Sequence, residues 1–170
     1  MNLEGIPPRG TPIETRDLDE GRVLYTTGDP HALYSWDTGI GIGKYLQGLK
    51  EGKILGTYCS HCQRTVVPPR VFCELCFSPV IEWKTLKDTG VVNTFSICYV
   101  SWDAKRVQTP YLPAVIEIDG ASKGCGIMHL LDEVDPKEIK IGMRVKAVWK
   151  RVEQRTGAIT DIQYFKPVSS

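Results

Sequence analysis

Cys59-Ser60-His61-Cys62 and Cys73-Glu74-Leu75-Cys76 are the two stretches that decide the fold of the middle of this chain. In each stretch the first thiolate and the one three residues later converge on one point. Two such pairs supply the four soft ligands of a tetrahedral Zn²⁺ site. The spacing therefore predicts a zinc ribbon whose metal ligands are Cys59, Cys62, Cys73 and Cys76.

Disulfides and a redox-active CxxC pair are the alternatives to a metal site. Disulfides are rare in a reducing compartment, and a thioredoxin-like motif needs only one CxxC at the start of a helix after a strand. Four cysteine ligands leave no open coordination position, so we expect the ion to be structural rather than catalytic. His61 lies inside the first pair, but Cys59 and Cys62 already fill that side of the site.

Composition indicates a globular protein and disfavours several functions. The chain has 170 residues, 42% of them hydrophobic and 24% charged, with a formal charge of +1. No apolar run reaches the length of a membrane span, and the first ten residues lack a hydrophobic signal core. These features predict a cytoplasmic protein without a membrane segment. The near-neutral charge disfavours a dedicated nucleic-acid binder.

The N-terminal half is expected to contain an arm and then a helix. Residues 1–37 show no lasting hydrophobic period and predict an extended arm, with a partly disordered tail as the alternative. Residues 38–80 predict a helix followed by the ribbon. Asp37 or Thr38 can cap that helix, and Gly52 fits its C-terminal end. Its apolar face is expected to carry Tyr45, Leu46 and Leu49.

Residues 81–170 read as β-structure. Three strands, a short helical link at 135–139 and two more strands follow the order of an OB-fold, a five-stranded Greek-key barrel. A generic small barrel or sandwich is the alternative. Alternating apolar residues indicate which strand faces point inward. The predicted strands are 80–87, 90–102, 112–119, 124–131, 143–152 and 158–165, and the inward residues are Leu112, Ala114, Ile116, Ile118, Met143, Val145, Ala147 and Trp149.

A basic stripe and three aromatic residues leave a nucleic-acid function open. OB-folds and zinc ribbons both occur in proteins that bind single strands, where aromatic rings stack on bases and lysines follow the phosphates. A solvated strand face and ordinary barrel packing explain the same residues. The stripe is Arg144, Lys146 and Lys150, and the aromatic residues are Phe95, Tyr99 and Trp102.

Several stretches together resemble the acyl-CoA-associated zinc-ribbon/OB-fold family, known mainly as a domain of unknown function. The chain resembles it over about residues 38–166. Beside the cysteine pairs, the proline pair before the second of them and the glycine-punctuated barrel carry this resemblance. The stretches are KILGTYCSHC at 53–62, PPR at 68–70, DTGVVNTFSICYVSW at 88–102, LPAVIEIDG at 112–120 and IGMRVKAVW at 141–149.

The resemblance implies a small subunit without catalytic residues. Such a subunit binds a thiolase-superfamily enzyme, or a related acyl-CoA-processing enzyme such as an aldolase or hydratase, in a hetero-oligomer. It further implies a structural Zn²⁺ on the four cysteines, and coenzyme A or acyl-CoA shared with the partner. The alternative function is a single-stranded nucleic-acid-binding module.

The residues themselves give little support to an independent enzyme. His31, His61 and His129 are the three histidines, and none has a sequence-local partner for nucleophilic catalysis. Cys125 and His129 share one strand face but Ile127 separates them. Cys125, like Cys98, is expected to be buried as a small apolar residue.

Overall fold

The structure is a computed structural model that describes residues 13–23, 37–80, 82–101 and 103–168. The chain divides into two compact units, residues 1–36 and 37–170. Neither α-helix among these residues combines the length and the apolar character needed to cross a bilayer.

The first unit contributes one short helix, α1, at Thr15–Asp19. The Glu14 backbone N–H donates to the Asp17 carboxylate at 2.8 Å, which satisfies an amide at the helix start. Arg22 forms ion pairs with Asp17 and Glu20 just after the helix. The sequence predicted an extended arm here, so this short helix was not expected. The rest of the predicted arm up to residue 36, with Leu24, Tyr25, Leu33, Tyr34 and Trp36, lies outside the described residues.

The predicted helix before the ribbon is α2, Gly39–Lys50. Asp37 rather than Thr38 caps it, since Asp37 Oδ1 accepts the Gly39 N–H at 3.2 Å. Gly52 ends it with φ +76°, a left-handed conformation that glycine adopts without strain. Tyr45 and Leu49 are buried and Leu46 packs beside them, which confirms the predicted apolar face.

The described part of the second unit contains ten strands, which form three sheets. Strands β1, β2 and β3 form the ribbon sheet, in the order β2-β1-β3. Strands β5 and β6 form a separate hairpin, and the remaining five strands form the largest sheet. The strands are β1 Ile54–Cys59, β2 Arg64–Val66, β3 Glu82–Leu86, β4 Thr89–Phe95, β5 Cys98–Val100, β6 Arg106–Tyr111, β7 Pro113–Ile118, β8 Gly126–Leu130, β9 Arg144–Trp149 and β10 Ile162–Pro167.

The five-stranded sheet confirms the predicted OB-fold. Its order is β10-β9-β4-β7-β8, with antiparallel neighbours. The barrel is not closed by a full ladder. Leu131, directly after β8, instead forms a parallel bridge with Phe165 inside β10. The helix predicted at 135–139 is wrong: the chain makes a turn there, in which Asp135 Oδ1 accepts the Lys137 N–H at 2.9 Å.

The predicted strand 90–102 is two strands. The first of them, β4, ends at Phe95, and β5 then pairs with β6, which the sequence reading did not predict. Ser101 closes this hairpin, because its backbone N–H and hydroxyl both donate to the Lys105 carbonyl. Trp102, the third candidate stacking residue, lies outside the described residues.

One hydrophobic core joins helix, ribbon and OB-fold. Tyr45 and Leu49 from α2 and Ile54 from β1 belong to the same buried cluster as Ile116 and Phe165. The alternation predicted on β7 is confirmed, since Leu112, Ala114, Ile116 and Ile118 are all buried. A second, much smaller cluster contains Cys59, Cys73 and Val80, with Cys62 and Cys76 packed against it. The cysteine pairs therefore stand apart from the main core.

Candidate metal centre

The two cysteine pairs occupy matching positions in two tight turns. Cys59 is the last residue of β1, and Cys62 lies in the turn before β2. Cys73 follows a bridge between Phe72 and Pro79, and Cys76 lies in the turn inside it. The residue after each second cysteine is left-handed: Gln63 has φ 53° and Phe77 has φ 57°. The repeated backbone shape points both pairs toward one place.

The four sulfur atoms fit a tetrahedral metal ion. All four lie within 4.8 Å of one another, and Cys59 Sγ is 3.6 Å from Cys76 Sγ. A Zn–S distance of about 2.3 Å in a tetrahedron places sulfur atoms roughly 3.8 Å apart. No two of the six cysteines are bonded as a disulfide. Geometry and donor chemistry therefore both match a Cys₄ site.

Hydrogen bonds shift the pKa values of two of the thiols in opposite directions. Ser78 donates to the Cys76 sulfur from its hydroxyl and its backbone N–H, which lowers the pKa of Cys76 to about 6. The hydrogen bond of Cys62 with Cys76 raises the pKa of Cys62 to about 12. The Cys62 N–H donates to Cys59 Sγ at 3.4 Å. Donors of this kind orient and stabilise thiolate ligands.

An ion pair links the two cysteine pairs, and the sequence reading missed it. Arg64 Nη1 donates to Glu74 Oε1 at 2.7 Å, and both side chains are about three-quarters buried, with 24% and 29% exposed. Arg64 Nη2 lies 3.5 Å from Cys125 Sγ in the segment that leads into β8. At the same junction the Ser122 hydroxyl accepts the Thr65 N–H at 3.0 Å, and the Ser122 N–H donates to the Thr65 carbonyl at 2.9 Å. The ribbon is thus joined to the OB-fold beside the cysteine cluster.

His61 lies beside the cysteine cluster, and the geometry gives no reason to count it as a metal ligand. Its Nδ1 lies 3.7 Å from Cys62 Sγ, and its side chain is exposed. The four sulfur atoms already supply a complete tetrahedral set. The expectation that the site uses cysteine alone stays consistent with this geometry.

The structure does not bring Cys125 and His129 together. His129 Nδ1 accepts the Leu130 N–H at 2.9 Å, and its Nε2 lies 3.3 Å from the Ile159 carbonyl oxygen. Burial lowers the pKa of His129, which favours the neutral ring. Cys125 is buried as predicted, whereas Cys98 is only half-buried. His31 lies outside the described residues.

The basic stripe on β9 has partners within the protein. Arg144 forms a bidentate ion pair with Asp119, and Lys146 lies 3.8 Å from Asp88. Lys150 Nζ is 3.3 Å from Thr160 Oγ1. Phe95 packs against the hydrophobic core. Of the described candidates for base stacking, Tyr99 is the exposed ring.

An apolar surface lies where α2 begins, beside the second cysteine pair. A groove of about 450 Å³ there is lined by residues 38–42 and 69–72. Ile40 is 81% exposed and Phe72 is 50% exposed. The sequence signal is the run GIGIG at 39–43, in which glycines leave the isoleucines uncovered. We call Ile40, Ile42, Val71 and Phe72 the helix–ribbon surface.

Two family profiles match adjacent parts of the chain. Residues 46–82 match the ChsH2 rubredoxin-like zinc ribbon domain, and residues 83–150 match the ChsH2 C-terminal OB-fold domain. The first match contains all four clustered cysteines. Together the matches cover the region in which the structure shows the ribbon sheet and most of the OB-fold.

Curated proteins from other organisms are similar to this chain in sequence. A "DUF35 domain-containing scaffold protein" of Methanocaldococcus jannaschii is 30% identical over 120 residues, 69% of this chain and 83% of the relative. A protein of the same description from Pyrococcus furiosus is 25% identical over 130 residues, 75% of this chain and 93% of the relative.

Solved structures of DUF35 proteins are also similar to this chain. A DUF35-family protein of unknown function from Sulfolobus solfataricus is 28% identical with a TM-score of 0.53, covering 62% of this chain and 75% of its own. A chain of the "Ltp2-ChsH2(DUF35) aldolase" is 19% identical with a TM-score of 0.55, covering 78% and 98%. The latter likeness is one of fold. On these matches, the chain belongs to the DUF35 family of zinc-ribbon and OB-fold proteins.

Proposed function

We propose that this chain is a non-catalytic subunit that binds and supports an acyl-CoA-processing enzyme of the thiolase superfamily or a related class. Its curated relatives are described as scaffold proteins, and one structural neighbour belongs to an aldolase complex. The resemblance of the sequence to acyl-CoA-associated proteins supports the substrate class. The chain itself contributes a surface that binds the enzyme and a site that holds a structural metal ion.

The observation that carries this proposal is the helix–ribbon surface. Four large apolar side chains surround one groove, and Leu75 and Phe77 are exposed in the neighbouring cysteine loop. Contiguous exposed apolar patches mark interaction sites in soluble proteins. Glycines at 39, 41 and 43 weaken α2 in isolation, so packing against a second protein would stabilise it.

Zn²⁺ is the metal proposed for Cys59, Cys62, Cys73 and Cys76. Four thiolates at tetrahedral spacing select a soft or borderline metal, and no ligand position is left for substrate. Bound zinc would hold the two cysteine turns together, because the described residues of the local cluster are the cysteines and Val80. Its role is folding rather than chemistry.

The test is co-purification from the native cell extract with a tagged full-length chain. The bound proteins are identified, and their acyl-CoA turnover is measured with and without this chain. We expect one stoichiometric acyl-CoA enzyme whose turnover falls when the chain is absent. A stable, monodisperse chain that recovers no enzyme, or one that recovers nucleic acid, would overturn the proposal.

Variants of the helix–ribbon surface localise the contact. Ile40→Asp and Phe72→Asp each place a charge in the groove and should abolish recovery of the enzyme. Val152→Asp is the matched control, because Val152 is 71% exposed and lies outside that surface. Equal recovery by all three variants would assign binding to another face.

A further inference from the structure

Arg64 occupies a position between the two cysteine pairs that zinc coordination alone does not explain. It begins β2 two residues after Cys62, and its ion-pair partner Glu74 lies directly after Cys73. The ion pair therefore spans from the first cysteine turn to the second. The other guanidinium nitrogen reaches Cys125 of the OB-fold.

The environment of Glu74 makes its carboxylate dependent on the ion pair with Arg64. Glu74 Oε1 accepts from Arg64, whereas Oε2 is buried and has no hydrogen-bond partner among the described residues. A carboxylate with one buried and unpaired oxygen depends strongly on its countercharge. Removing the guanidinium would leave this carboxylate inside the second cysteine turn without its ion pair.

The charge of a loaded site adds to that dependence. Zn²⁺ with four thiolates carries a net charge of about −2, and the Glu74 carboxylate adds a further negative charge to the same turn. A cation bonded to Glu74 offsets part of this charge. The planar guanidinium also donates in two directions at once, which a lysine ammonium on one stem does not reproduce.

We propose that Arg64 is a positioning residue for the metal centre, which holds the second cysteine pair against the first through Glu74. Its contact with Cys125 anchors the guanidinium to the OB-fold. This inference rests on the proposed Zn²⁺ site but not on any partner enzyme. It goes beyond ligand identity, since it assigns a role in metal affinity to a residue that is not a ligand.

The test uses the full-length chain loaded with Zn²⁺ and measures zinc affinity by competition with a chelator. Arg64→Met should lower the affinity about 10–100-fold, the usual effect of losing an outer-shell partner. Arg64→Lys, which keeps the charge, should recover part of the loss. With cobalt(II) in place of zinc and at saturating concentration, Arg64→Met should show weakened tetrahedral thiolate absorption, a change that lower occupancy alone does not produce.

Arg144→Met is the matched control, because Arg144 forms a bidentate ion pair with Asp119 away from the cysteines. It should leave zinc affinity and the cobalt spectrum unchanged. Glu74→Gln supplies a second variant if Arg64→Met fails to fold, and it should reduce affinity in the same way. Unchanged affinity in both Arg64→Lys and Glu74→Gln would overturn the inference.

The measurements distinguish a chain that binds no metal from a chain that binds zinc without help from Arg64. If the wild-type chain binds neither Zn²⁺ nor cobalt(II), the metal proposal itself is wrong. If the wild-type chain binds zinc and Arg64→Met binds it equally tightly, only the role of Arg64 is wrong. An equal loss in Arg64→Met and Arg144→Met would show general destabilisation and also contradict it.

Discussion

Arg144 and Asp119 form a bidentate ion pair that ties β9 to the end of β7. Arg144 Nη1 donates to Asp119 Oδ1 at 2.8 Å, and Nη2 donates to Oδ2 at 2.5 Å. Thr89 donates to the same carboxylate from the start of β4. Three strands of the OB-fold therefore meet at one charged group, which makes Arg144 part of the fold rather than a free phosphate contact.

This ion pair predicts a specific acid sensitivity. Mainly the Arg144 hydrogen bonds lower the pKa of Asp119 from 3.8 to about 2. A carboxyl whose pKa is depressed by folding stabilises the protein above its unfolded pKa and loses that contribution as the pH falls through the folded value. We expect the stability difference between wild type and Arg144→Met to be full above about pH 4 and to vanish toward pH 2.

Urea unfolding at a series of pH values measures that difference. Lys146→Met is the control, since Lys146 lies on the same strand with only a 3.8 Å contact to Asp88. It should change stability little at any pH, as expected for an exposed pair. A difference between wild type and Arg144→Met that stays constant from pH 6 to about 2 would contradict the role of the ion pair.

Asp161 is predicted to be a stability-determining carboxylate. Its side chain is fully buried and accepts the backbone N–H groups of Thr156, Gly157 and Ala158 at 3.0, 2.7 and 3.2 Å. Burial alone would raise the pKa of Asp161, but these three donors outweigh it and lower the pKa. Asp161→Ala removes the shared acceptor of these three part-buried hydrogen bonds and should cost about 3 kcal/mol of unfolding free energy.

Chemical denaturation of Asp161→Ala and Asp135→Ala makes the comparison. Asp135 also accepts a backbone N–H, from Lys137, but it lies in an exposed turn where water replaces the bond. Its loss should cost less than about 1 kcal/mol. Equal costs for the two variants would mean that burial of Asp161 does not matter.

Two glycines are predicted to be required by close strand contact. A Cβ at Gly90 would lie 2.3 Å from the Glu117 carbonyl oxygen, and one at Gly126 would lie 2.3 Å from the Ile116 carbonyl oxygen. Both obstacles are backbone atoms of β7, so they cannot move aside cheaply. Gly90→Ala or Gly126→Ala should destabilise the protein by about 3 kcal/mol, in the range of severe overpacking.

Gly41→Ala is the control for these two variants. The nearest atom to a Cβ there is Val71 Cγ1 at 3.4 Å, an ordinary contact, and alanine favours the helix. Thermal unfolding should show unchanged or raised stability for Gly41→Ala. A loss as large as that of Gly126→Ala would show that close contact with β7 is not the cause.

Regular patterns in the sequence predicted the OB-fold and the cysteine site. The alternation from Leu112 to Ile118 reports the inward face of β7, because every second residue of a strand shares one face. The β6 strand Arg106–Tyr111 escaped prediction, since it is mostly exposed and contains a proline. The Arg64–Glu74 contact also escaped it, because tertiary folding of the ribbon brings the two residues together.

Metal removal is expected to unfold the ribbon first. Among the described residues the cluster around Cys59 and Cys73 adds only Val80 to the cysteines, so the apolar contacts seen there are few. Apparent zinc binding energies of roughly 10–16 kcal/mol act as folding energy in such modules. Chelation should therefore raise amide hydrogen exchange in residues 54–66 and 71–80 before it does so in the OB-fold.

Unfolding of the ribbon should then destabilise the OB-fold, because Ile54 and Val66 of the ribbon strands belong to the main core. Elemental analysis should find one zinc per chain in the wild type and none in Cys62→Ser. Cys98→Ser is the matched control, since Cys98 lies outside the cluster and should retain full zinc content. If the chelated chain keeps wild-type exchange rates in residues 54–66, the ribbon is stable without metal, and the four cysteines do not serve as a folding site.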